Sequence, residues 1–209
     1  MGIFSKPKRT YDYVPPINST STLLGESAQP GAGQYDDLNR SPATTVELRF
    51  RHFAFPTNET TRDHAFIVVT DNSTGKQWVH QASPWGPAGD PIMGSIIAST
   101  GEYKKGERGF DDPYRTVARF TTDASPSSVT DKLKTFSDRF NQNDVNYQLP
   151  PDVLPMVPHS MQDIMPTRNS NYYGGLVWQY LTGSVPKLPG DMDAPGWGDH
   201  IRDPYGATP

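Results

Sequence analysis

The stretch His64–Gln81, "HAFIVVTDNSTGKQWVHQ", decides the fold. An apolar, β-branched run leads into a turn-rich "DNSTG", and a second aromatic and β-branched run follows. Two strand-like runs joined by Asp, Asn, Ser and Gly form the signature of an antiparallel hairpin. Upstream, "TTVELRFRHFAF" (44–55) alternates Val46, Leu48 and Phe50 with Glu47, Arg49 and Arg51, the period of a half-buried strand. Downstream, "GSIIAST" and "RTVARFTT" add two weaker strands, separated by the charged, Gly-rich "GEYKKGERGFDDPY".

The period then changes. "SPSSVTDKLKTFSDRFNQ" (125–142) places Val129, Leu133, Phe136 and Phe140 on one helical stripe, with Lys, Asp and Arg opposite. Ser125 followed by Pro126 is an N-cap and first-turn pair. "VNYQL" reads as a short strand. "PPDVLPMVPHSMQDIMP" (150–166) holds too many prolines for a regular element and reads as a covering loop. "RNSNYYGGLVWQYLTG" (168–183) is a second helix closed by Gly183, with Trp178 as a core residue. A block of strands followed by two late helices predicts an α+β domain over 44–185, with an antiparallel sheet of four to five strands.

The ends differ in character. Residues 1–43 lack periodicity and are rich in Pro, Ser, Gly, Gln and Asn, so they read as an extended or disordered arm. Residues 186–209 form a Pro/Gly-rich tail. The whole chain has 209 residues, 21 Pro, 18 Gly and only 34% hydrophobic content, and its mean hydropathy is -0.66. A net charge of -4 gives no electrostatic pull toward nucleic acid. The absence of cysteine excludes disulfides, thiolate metal sites and a thiol nucleophile.

No apolar run approaches the ~18 residues of a membrane span, and no signal-peptide pattern opens the sequence. The expectation is a soluble protein, intracellular or delivered without a cleavable signal. Sequons at Asn18, Asn58 and Asn72 then read as chance occurrences. The start "MGIFSKPKR" puts Lys6 where a myristoylation pattern wants Ser or Thr.

Chemistry concentrates at three places. His64 opens the first run of the hairpin and His80 lies near the end of the second. If the five residues "DNSTG" form the turn, Thr70 faces Lys76, His80 faces Phe66, and the two imidazoles share a face; a slip of one residue separates them. Ser170 begins the late helix, where unpaired N–H groups and the helix dipole favour developing negative charge. Gly174 and Gly175, one turn on, allow close approach to a sheet. The plainer reading is that Asn169 or Ser170 caps the helix and the glycines serve packing.

The order of these residues, "DHAFIVVTD", then "WVHQASP", then "RNSNYY", resembles that of circularly permuted papain-like proteins. That group includes lecithin:retinol acyltransferase and related amidases and phospholipases. The segment "NSNYYGGLVWQYLTG" is also similar to the Asn-Ser-Asn segments of papain-like domains in toxins and effectors. The resemblance covers roughly residues 44–183, through short motifs. It implies a permuted papain-like fold, His64 as general base, His80 as the group that orients it, and Ser170, preceded by Asn169, in the place of the family's cysteine.

Serine departs from that pattern. A hydroxyl has a far higher pKa than a thiol and must lose its proton during attack, which demands a placed base and an oxyanion hole. Two functions follow from the resemblance. One is a hydrolase or acyltransferase acting on an amide, peptide or lipid ester bond. The other is an inactive papain-like domain serving binding or assembly, for instance in a virion or effector complex, with arm and tail contacting protein partners. No cofactor or metal is expected. Glu107 with Asp111 and Asp112, and His200 with Asp199 and Asp203, read as solvated acidic clusters rather than cation sites.

Overall fold

The computed structural model describes residues 41–54, 61–85, 95–105, 113–143, 145–147 and 167–198. Five strands precede two helices, as the change of period predicts. The strands are β1 (Thr44–Ala54), β2 (Thr61–Asp71), β3 (Gln77–Trp85), β4 (Ser95–Glu102) and β5 (Tyr114–Thr122); the helices are α1 (Pro126–Gln142) and α2 (Ser170–Thr182). The strands form one antiparallel sheet in the order β4-β3-β2-β1-β5. The arm before residue 41, the Pro-rich segment 150–166, the acidic residues 107, 111 and 112, and the His200 group lie outside the described residues.

Both helices cover one face of the sheet. Val46, Leu48 and Phe50 of β1, Ala65, Ile67 and Val69 of β2, and Ala82, Ile96 and Ala98 meet the predicted α1 stripe and the apolar side of α2 in one core. Trp178 is part of it, edge-on to Phe120 of β5 at 5.7 Å between ring centroids. Alternation sends Phe66, Val68 and Val79 to the far face, where they form a small separate cluster with Tyr103. On that face the Glu47 carboxylate sits between Arg49 and Arg119 and bonds both. Burial alone pushes this carboxyl up, but the two guanidiniums outweigh it and hold it below the usual range.

The β2–β3 turn fixes a register one residue away from the expected one. Asp71 faces Lys76 across a four-residue loop, Asn72–Gly75, and the Asp71 N–H donates to the Lys76 carbonyl at 2.9 Å. Gly75 adopts φ 74, the left-handed conformation that closes such a loop. The Asp71 carboxylate accepts from Ser73 and Thr74 and ties the loop to itself. Consequently Thr70 faces Gln77, and Ile67 faces His80.

Two smaller expectations are also revised. Within "VNYQL" the described residues 145–147 form an isolated bridge, Asn146 to Ser95, rather than a strand. The described part of the tail, residues 186–198, is loop, as expected, but it belongs to the folded body. Leu188, Met192, Ala194 and Trp197 pack against the core, and Trp197 meets Phe50 at 5.2 Å between ring centroids. Among the described residues no helix is long and apolar enough to cross a membrane.

Candidate functional site at the start of α2

β2 and β3 pair only from Ile67–Thr70 to Gln77–His80. Beyond that point β2 continues with β1 alone and β3 continues with β4. The two strands part, and the β2 edge at residues 63–65 is left without a strand neighbour. Side-chain and loop groups take the strand's place. The Asn171 amide donates to the Asp63 carbonyl at 2.8 Å and accepts from the Ala65 N–H at 2.8 Å, while the Asp63 N–H donates to the Asp193 carbonyl at 2.7 Å. A single amide thus satisfies the backbone on both sides of His64, groups that would be costly to bury unpaired.

This grip places the first turn of α2 at the split. Gly174 lies against β2 so closely that a Cβ there would stand 2.8 Å from the Ala65 Cβ. Gly174 therefore does serve close approach. Ser170 is the chain neighbour of Asn171, so its Cα lies about 3.8 Å from that of the residue gripping the His64 segment. Ser170 is 9% exposed.

Asn169 is the cap. Its side-chain oxygen accepts from the Asn171 and Tyr172 N–H groups at 2.8 and 3.1 Å, and its amide nitrogen donates to the Pro195 carbonyl at 2.9 Å. Asn169 is fully occupied by capping and by anchoring the tail, so nothing in its geometry gives it a chemical role. The cap also uses two amides that could otherwise face an oxyanion, leaving the Ser170 N–H as the first amide of the helix.

His64 and His80 do not share a face. The observed register is the one-residue slip that separates them: His80 lies opposite Ile67, on the helix side, whereas His64 lies opposite Arg51, on the far side. His80 is 1% exposed, and both its nitrogens are engaged, Nδ1 with the Thr100 hydroxyl at 2.6 Å and Nε2 with the Tyr173 hydroxyl at 2.8 Å. Tyr173 also meets the Ser137 hydroxyl at 3.3 Å, so the histidine ties β3 and β4 to both helices. Burial lowers its pKa to about 3. The expectation that His80 orients His64 is therefore corrected: His80 is a neutral core residue, turned away by the length of the loop.

The position beside His64 is taken by Gln81, the next residue along. Its side chain hydrogen-bonds the His64 ring and favours the protonated form. The Gln81 oxygen also accepts from Arg51 Nη2 at 3.3 Å. Nε2 of His64 is shielded from solvent and has no hydrogen-bond partner among the described residues. Desolvation, then the charge of Arg51, lower the His64 pKa to about 4, and the ring is neutral at pH 7.

The structure thus brings the Ser170 turn to the backbone of His64 and sets Gln81 on the ring. It leaves the Ser170 hydroxyl and the His64 Nε2 without a shared hydrogen bond. Gln81 was missed because the hairpin was counted one residue too long; the signal was Gly75, which belongs inside a four-residue loop. Asn171 was missed because an Asn near a helix start reads as a cap, and nothing in the sequence shows the unpaired strand edge it fills.

Compared with known proteins, the chain matches no family model, no curated protein and no solved structure.

Proposed function

We propose that the split between β2 and β3 is an acyl-transfer centre of permuted papain-like type, in which Ser170 is the nucleophile and His64 the general base. The observation that carries this reading is the buried, unpartnered Nε2 of a neutral His64 beside the turn that bears Ser170. A buried polar atom without a partner is costly, and a site that must accept a proton is a physical reason to keep one.

In this mechanism the Ser170 Oγ attacks the carbonyl carbon of an amide, peptide or ester, and its proton passes to His64 Nε2. Gln81 accepts from Nδ1–H and stabilises the imidazolium that forms. The negative carbonyl oxygen is stabilised by the Ser170 N–H and the positive end of the α2 dipole. As the tetrahedral adduct collapses, the bond to the leaving amine or alcohol breaks and His64 returns the proton to it. Water, or an acceptor alcohol or amine, then releases the acyl group by the same steps in reverse. Ser170 starts the helix on one face of the sheet and the His64 side chain lies toward the other, so this mechanism requires the two groups to approach each other through the gap where the strands part.

A second reading has its own support. The Asn169 cap occupies two of the amides at the helix start, and Ser170 is nearly covered; both suit a papain-like domain retained for binding or assembly. Treatment of the folded protein with a fluorophosphonate separates the two readings. The catalytic one expects labelling of the parent and its loss in Ser170→Ala and His64→Ala. Equal labelling of all three removes Ser170 as nucleophile.

A further inference from the structure

The sheet has two edges and protects them unequally. The β4 edge is covered: the Ile96 N–H donates to the Val145 carbonyl at 2.8 Å, and the Asn141 amide accepts from Ala98 N–H and donates to its carbonyl at 2.8 and 2.9 Å. Among the described residues the β5 edge has no such cover. β5 pairs with β1 on one side, and on the other side its backbone takes part in no hydrogen bond among the described residues.

Exposed edges are ordinarily blunted by lysine, proline, irregular pairing or projecting charge. β5 carries one such device in its first half, where the register with β1 shifts opposite Leu48 and Arg49. From Ala118 to Thr122 the pairing is regular, and the segment contains neither lysine nor proline. The strand's two cations are each tied within the chain, Arg115 to Asp191 and Arg119 to Glu47. Along the helix side of this edge run Val117, Ala118 and Phe120, apolar side chains only partly buried against the core.

We propose that the β5 edge is an interface with a second copy of this chain, formed by antiparallel pairing of Ala118–Thr122 about a two-fold axis at Phe120. That register sets Phe120 against its own copy, Arg119 against the partner's Thr121, and Ala118 against the partner's Thr122. Paired residues then point to matching faces: Ala118, Phe120 and Thr122 lie opposite the helix-side residues Leu48, Val46 and Thr44, while Arg119 and Thr121 lie opposite Glu47 and Thr45. An axis at Arg119 would instead set two arginines directly against each other, which is unfavourable. Pairing at Phe120 joins the two sheets into one, with both sets of helices on the same face and the half-buried phenylalanines meeting under Trp178. A second copy fits better than an unrelated strand because each edge brings the same regular backbone, the same apolar flank and no uncompensated charge.

Sedimentation equilibrium on the full chain, from micromolar to millimolar concentration, tests this with two substitutions at one exposed position. Thr121→Lys sets a lysine opposite the partner's Arg119 twice per dimer, and Thr121→Glu sets a glutamate there. The parent should dimerise, Thr121→Lys should raise the dissociation constant by about tenfold or more, and Thr121→Glu should dimerise at least as tightly as the parent. Circular dichroism melts of the three chains confirm equal folding. A parent that stays monomeric overturns the proposal, as does a dimer whose affinity moves equally, or not at all, with the two opposite charges.

Discussion

Two histidines held neutral by the fold, His80 buried and His64 half-buried with its Nε2 shielded, make this protein sensitive to mild acid. His80 and His64 titrate near 6.5 when unfolded and near 3 and 4, respectively, in the fold. As the pH falls below 6.5 the unfolded chain takes up protons that the folded chain does not. Stability is therefore fully present above the unfolded value and is lost on acidification. Each ring contributes a slope of about 1.4 kcal/mol per pH unit, and the pair about 2.7. Between pH 6.5 and 4.5 the loss comes to about 5 kcal/mol, comparable with the whole stability of many domains. Urea unfolding at half-unit pH steps measures it directly. The parent should show the double slope, and His80→Phe about half of it, whatever the substitution does to stability at pH 7. The window stops at 4.5 because Glu47, held below its ordinary range, begins to contribute only lower down. A flat profile between pH 6.5 and 4.5 would mean that both rings protonate as readily in the fold as out of it, and that neither is held neutral there.

Other perturbations report on the split itself. Asn171→Ala leaves the Asp63 carbonyl and Ala65 N–H unpaired and should cost about 2–4 kcal/mol in denaturant midpoint analysis; Asn171→Asp, which can still accept from Ala65 N–H but cannot donate to Asp63, should cost part of that. Gly174→Ala forces a Cβ against Ala65 and should destabilise by about 1–3 kcal/mol despite the better helix propensity of alanine. Arg51→Gln removes the positive charge that helps depress His64, so the pH midpoint of any His64-dependent labelling should move up from about 4. An unmoved midpoint would show that His64 is not the titrating group.

The elements were legible because their periods are clean. Val46, Leu48 and Phe50 alternate without interruption, and the α1 stripe Val129, Leu133, Phe136 and Phe140 is buried as its spacing requires. What the sequence hid were features set by single-residue geometry. One residue more or fewer in "DNSTG" exchanges the faces of His80 and Gln81, and composition does not count turns. Trp197 and Asp193 sit in a stretch with no periodicity, yet the loop they occupy is held by point contacts, Trp197 on Phe50 and Asp193 on Arg62 at 2.7 and 2.8 Å. Asn171 illustrates the same limit: its partners are backbone groups more than a hundred residues away, exposed only because two strands diverge.

An acyl-transfer centre at the split requires the Ser170 hydroxyl to react with the help of His64. Peptide mapping by mass spectrometry after exposure of the folded chain to a fluorophosphonate measures this at the atom concerned. The phosphonyl adduct should sit on the peptide carrying Ser170, and His64→Gln, which keeps polarity but offers no basic nitrogen, should reduce its rate by at least about a hundredfold. An unmodified Ser170 in the folded parent, or an adduct that forms as fast in His64→Gln, would contradict it.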